Sequence, residues 1–239
     1  MTHDSVTAPG ERTTVGPVLI SARPYANYLT QFALTDADLL AGPVLDCPGG
    51  ASDFAAEVRA RGGQAVSVDP SYGLEAAELT AAIDAGRERV STWTRTQPDR
   101  YSFDENGVWE HAPVWEATAR RFLDDLARDR AEGTGHYRDA LLPELPFADD
   151  SFALAVSGFL LFTYADQFDN AFHLAAVREL LRVAAEVRLH PLSDSSGVPY
   201  PDLDTLLGIL SAEGVTARVL VVPGTSDPRE NRTLVLTRG

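Results

Sequence analysis

Two carboxylates and a glycine pair carry the spacing from which chemistry can be argued. Asp46 closes the short apolar run Val44-Leu45 and is followed by Cys47-Pro48-Gly49-Gly50; Asp69 closes Ala65–Val68, 23 positions later. Each acid therefore ends a strand, and a turn of small residues leads from the first strand into a helix beginning near Phe54. Open α/β sheets bind ligands outside the carboxyl ends of their strands. Glycine in such a turn lets a ligand approach the backbone, and the start of the next helix offers free N–H groups. An acid at the first strand end disfavours phosphate and favours an ammonium or sulfonium centre. The second acid fits a carboxylate accepting from two ribose hydroxyls. A positively charged, phosphate-free adenosine cofactor meets both conditions, and S-adenosylmethionine is one. The same residues admit a plainer reading, with Gly49-Gly50 as a tight turn and Asp46 as a helix cap.

Other chemistry is narrowed by composition. All 20 basic residues are arginine, so lysine-dependent sites such as a Walker P-loop or a Schiff base are excluded. A net charge of −15 opposes binding to nucleic-acid phosphates. Cys47, the single cysteine, cannot form an internal disulfide and reads as a small strand residue rather than a nucleophile. The five histidines (His3, His111, His136, His173 and His190) show no metal-ligand spacing, so no metal is expected. His173 is expected at the surface or boundary of a helix. His111 lies among Trp93, Tyr101, Phe103 and Trp109, either as a general base or as a solvated loop residue. Those aromatics either line a pocket for a planar acceptor or pack inserted helices onto the sheet. A nicotinamide site would call for G-x-G-x-x-G, which CPGGASD does not supply.

The elements that must position these residues follow from periodicity. Residues 1–16 read as a disordered leader and 17–239 as one domain, with a helical insertion over 70–135. Helices are expected over 24–41, 54–61, 74–92, 113–131, 168–182 and 201–213. Strands are expected over 44–47, 65–68, 136–138, 152–162, 185–189, 216–222 and 233–237. Strand, glycine turn, helix and strand within thirty residues make a parallel, right-handed βαβ unit. No apolar run reaches the length of a membrane span, and the polar start lacks a secretion signal, so a cytoplasmic protein without membrane partners is expected.

The stretch from VLDCPGG to SVDP resembles the first two motifs of class I S-adenosylmethionine-dependent methyltransferases. LPELPFADDSFALAVSGFLLF resembles the family's passage from third to fourth strand. Ser21–Tyr28 and Glu186–Leu192 are similar to segments of uncharacterised bacterial members, so the likeness runs over roughly residues 20–238. It implies a Rossmann-like α/β fold: a seven-stranded, mostly parallel sheet with an antiparallel C-terminal hairpin strand and a helical insertion between the second and third strands. It also implies S-adenosylmethionine bound by Asp46, Pro48, Gly49, Gly50, Asp69, Asp139, Ala140 and Ser157, with Tyr25 and Tyr28 closing the methionine end. Pro48 and Ser52 stand where the family has its first and third glycines. The implied function is methyl transfer to a small-molecule acceptor, with no catalytic residue singled out. The alternative is a non-catalytic protein that binds the cofactor or a partner on the same fold.

Overall fold

Alternating apolar strands and amphipathic helices build a three-layer sandwich in the computed structural model, which describes residues 14–222 and 228–239. The helices are α1 (Tyr25–Gln31), α2 (Asp36–Leu40), α3 (Phe54–Ala60), α4 (Ala76–Thr94), α5 (Ala112–Glu132), α6 (Asn170–Val183) and α7 (Leu203–Ala212). The strands are β1 (Val44–Asp46), β2 (Ala65–Val68), β3 (Tyr137–Arg138), β4 (Phe152–Gly158), β5 (Ala184–His190), β6 (Val215–Val221) and β7 (Arg232–Arg238). They form one seven-stranded sheet in the order β3-β2-β1-β4-β5-β7-β6. The first five strands are parallel, and β7 runs antiparallel to both β5 and β6. The antiparallel strand is thus inserted beside β5, and its hairpin partner β6 forms the edge.

Side-chain alternation along the strands divides the core. Leu45, Val68, Ala155 and Val187 point to the face covered by α6 and α7. Val44, Ala65, Leu154 and Val156 point to the opposite face, under α1 and α3. Cys47 lies in the first of these cores and is buried, as a strand residue would be. A third core, around Tyr72, Leu79, Phe122 and Tyr137, seats α4 and α5 beside β3.

Four sequence expectations are corrected. The helix over 24–41 is two helices: Ala33 adopts φ +50°, and Thr35 starts α2 through a capping box with Asp38. The strand expected to reach residue 162 ends at Gly158, where Phe159 turns the chain with φ +54°. His173 is fully buried, with its ring nitrogens against the carbonyls of Asp169 (2.7 Å) and Leu161 (2.9 Å) and its ring stacked on Phe162 and Tyr200. Of the expected leader, residues 1–13 lie outside the described residues. Val15, however, is buried and its N–H reaches Ser195 Oγ at 3.2 Å, so ordered chain begins before residue 17.

Candidate functional site at the strand tips

The parallel pairing of β1 with β2 brings Asp46 and Asp69 to neighbouring strand tips, as the sequence predicts. Asp46 is 1% exposed. Burial pushes its carboxyl up to about 8, against the opposing pull of hydroxyls on Tyr28 and Ser67 that lie 3.4 and 3.3 Å from Oδ2. Its Oδ1 is buried without a partner. Asp69 is also buried, and that burial raises its pKa.

What surrounds the two acids is protein. Asp69 Oδ1 accepts from the Ser71 N–H (2.9 Å) and hydroxyl (2.6 Å), opening the short 3₁₀ turn Pro70–Gly73. Asp69 Oδ2 accepts from the Gly50 N–H at 3.0 Å. The turn projects Tyr72 back under the glycines, where its hydroxyl donates to Gly50 O (2.8 Å) and lies 2.9 Å from Ser67 Oγ. The Ala51 N–H donates to Ser21 O at 3.0 Å. A Cβ on Gly49 would come within 1.8 Å of Ser67 Oγ and 2.6 Å of Tyr72 Oη. One on Gly50, at φ +54°, would meet Ser21 O at 2.8 Å. Both positions therefore demand glycine, and the atoms that approach them belong to this chain rather than to a ligand.

The other predicted cofactor residues divide. Pro48 is half-buried in the turn. Asp139 is exposed and its carboxylate lies against Gly73, while Ala140 packs at the edge of the core under α6. Ser157, at the tip of β4, is buried with its hydroxyl unpaired. Ser52 caps α3 by accepting from the Phe54 N–H (3.0 Å). Asp53 accepts from the Tyr25 N–H (2.7 Å) and Arg121 Nε (2.8 Å), joining α1 and α5 to the start of α3.

The observed cavity lies one layer further out. Residues 14–23 form a strap across the strand tips. The Pro17 carbonyl accepts from Arg89 and the Gly16 carbonyl from Gln167. Between this strap, α1, the aromatic connection of α4 to α5 and the loops after β4 and β5 is a cavity of about 210 Å³. All three tryptophans of the chain line it, so the aromatics of the insertion form a pocket wall as well as packing. None of the eight residues predicted to hold a cofactor does. Four wall residues carry a buried polar atom without a partner: Gln31 Oε1, Trp109 Nε1, Trp115 Nε1 and Thr163 Oγ1. Arg23, Gln31 and Thr163 were not predicted. Isolated polar residues beside a helix end or after a strand leave no spacing signal.

S-adenosylmethionine can be tested against this geometry. The Gly50 N–H and carbonyl, the Ala51 N–H and both Asp69 oxygens are engaged within the chain. The seat between the acids holds the Tyr72 phenol. The residues in this arrangement do not fit the cofactor. Among the described residues, no group of three or more His, Cys, Asp or Glu is placed to hold a metal ion, and no helix is long and apolar enough to cross a membrane.

No family model matches the chain. It is 27% identical over 192 residues to an uncharacterized protein of Methanocaldococcus jannaschii, covering 79% of this chain and 84% of that one. Among solved structures it is similar to a S-adenosylmethionine-dependent methyltransferase from Aquifex aeolicus, at 14% identity and TM-score 0.41, covering 89% of this chain and 87% of that one. It is also similar to WbdD, crystallised with a kinase inhibitor, at 14% identity and TM-score 0.48. That match covers 90% of this chain, which spans only 40% of WbdD. The sheet itself, with β4 central and β7 slotted antiparallel between β5 and β6, has the arrangement of the class I methyltransferase fold.

Proposed function

We propose that this chain is a small-molecule-binding protein on the methyltransferase fold, with its ligand held in the outer cavity instead of at the glycine turn. One contrast carries the reading. The turn's polar groups are satisfied by the chain, whereas the cavity wall keeps four buried polar atoms unsatisfied. Native proteins pair nearly all such groups, and each orphan costs about 1–3 kcal/mol, a cost that a bound ligand or ordered water removes. The net charge of −15 supports a small molecule over nucleic acid as partner, and a cytoplasmic location accompanies this reading.

A second reading, S-adenosylmethionine-dependent methyl transfer to a small acceptor, is favoured by one observation. Asp46 Oδ1 and Ser157 Oγ are buried and unpaired at adjacent strand tips, where a cationic group would be received. It requires Tyr72 and the strap to leave the turn.

Calorimetry with S-adenosylmethionine, S-adenosylhomocysteine and NAD separates the two. The first reading expects no binding heat from any of them. Micromolar binding of S-adenosylmethionine that disappears in Asp69→Ala would overturn it in favour of the second.

A further inference from the structure

We infer that the ligand of the outer cavity is a planar aromatic carboxylate anchored by Arg23; this rests on the cavity being the ligand site. The Arg23 guanidinium lies 3.5 Å from the centre of the Phe159 ring. Among the described residues its side chain donates to the Ser21 hydroxyl and makes no ion pair. Glu230, the acid on the cavity wall, is 3.2 Å from the buried Arg100 guanidinium, so that charge is already answered. Among the described residues, no carboxylate comes within ion-pair distance of this cation, and Asp46 and Glu230 act on it only from further away.

The unsatisfied wall atoms point the same way. Trp109 and Trp115 each present an indole N–H, a group that can only donate, and Thr163 adds a hydroxyl. Trp115 and Thr163 are 6% and 8% exposed, so bulk water does not serve them. Gln31 offers an unpaired carbonyl acceptor, and the Thr163 hydroxyl can accept as well as donate. A wall richer in donors than acceptors, with a guanidinium that no described carboxylate pairs, complements an anion that accepts two parallel hydrogen bonds. Trp109 and Trp115 supply flat apolar faces for the rest of the ligand. The volume of about 210 Å³ lies below the ~300 Å³ where typical ligand pockets begin, which selects a one- or two-ring molecule over a nucleotide.

Because every tryptophan lines the cavity, intrinsic fluorescence reads occupancy directly. The full chain is titrated with indole-3-carboxylate, with its uncharged carboxamide and with phenyl phosphate. Wild type, Arg23→Met and Arg23→Lys are compared after circular dichroism establishes that each is folded. The carboxylate is expected to quench saturably and to bind at least tenfold tighter than the carboxamide. Arg23→Met abolishes that preference and Arg23→Lys restores part of it. Equal binding of carboxylate and carboxamide, or an unchanged preference in Arg23→Met, would overturn the anion assignment while leaving the cavity as a ligand site. Tighter binding of phenyl phosphate would overturn the carboxylate in favour of a phosphate ester. Failure of all three compounds to quench would overturn the inference together with the cavity reading.

Discussion

Replacing Asp46 by asparagine keeps the shape of the side chain and removes its titration. Burial raises this carboxyl from an ordinary 3.8 to about 8. With the folded pKa above the unfolded one, its contribution to stability is fully present below the unfolded value and is lost as pH rises through the folded one. Between those limits the native state holds about one proton more than the unfolded chain. Stability then falls by about 1.4 kcal/mol per pH unit. Asparagine has no such slope. The stability difference between wild type and Asp46→Asn should therefore shift by about 3 kcal/mol between about pH 5 and 7, against the wild type at the higher pH. Asp69, whose pKa is also raised by burial, is present in both proteins and largely cancels. Urea unfolding of the two proteins across that range measures the difference. A gap constant to within about 0.5 kcal/mol, the size of a neutral surface change, would refute the claim that Asp46 is held protonated at the tip of β1.

Arg188 is buried and donates to the carbonyls of Phe32 (2.9 Å) and Ala33 (2.8 Å) and to Asp38 (3.0 Å). Arg188→Ala should cost about 3 kcal/mol, seen as a fall of roughly 6–12 °C in Tm. Gly49→Ala, whose new methyl would overlap Ser67 and Tyr72, should lower the urea midpoint by an amount equivalent to about 3 kcal/mol. Gly208→Ala, on an exposed part of α7 with nothing near the added Cβ, should instead stabilise by about 0.5–1 kcal/mol in the same assay. Tyr72→Phe strips the Gly50 carbonyl of its donor and should cost about 1–2 kcal/mol in thermal unfolding.

The sheet was legible because its signals are local. Val44–Asp46, the glycine turn and Ala65–Val68 announce themselves within a few residues, and β2 carries the bounds expected of it. The break between α1 and α2 was not legible. The carbonyls freed there are capped by Arg188, 155 and 156 residues away in sequence, and periodicity carries no trace of such a partner. The buried state of His173 was missed for a related reason, since Leu161 and Tyr200, which enclose it, come from separate loops. At the site, both acids were placed at the correct strand tips, but their partners were not. Asp69-Pro70-Ser71 does contain a usable signal: an acid followed by proline and serine opens a capped turn, and that turn is what sends Tyr72 beneath Gly50.

The strap also bears on how the molecule assembles. Its hydrogen bonds reach residues 51, 89, 167 and 195, sites drawn from nearly the whole length of the chain. Those four partners are brought within reach of one another only when the sheet, the insertion and the late loops have come together, so the strap's docking is a closing event, in keeping with the late formation of contacts between distant sequence positions. The Ala51 amide, held by Ser21, is then a reporter for that event: its protection from hydrogen exchange should arise after that of the β1 and β4 amides.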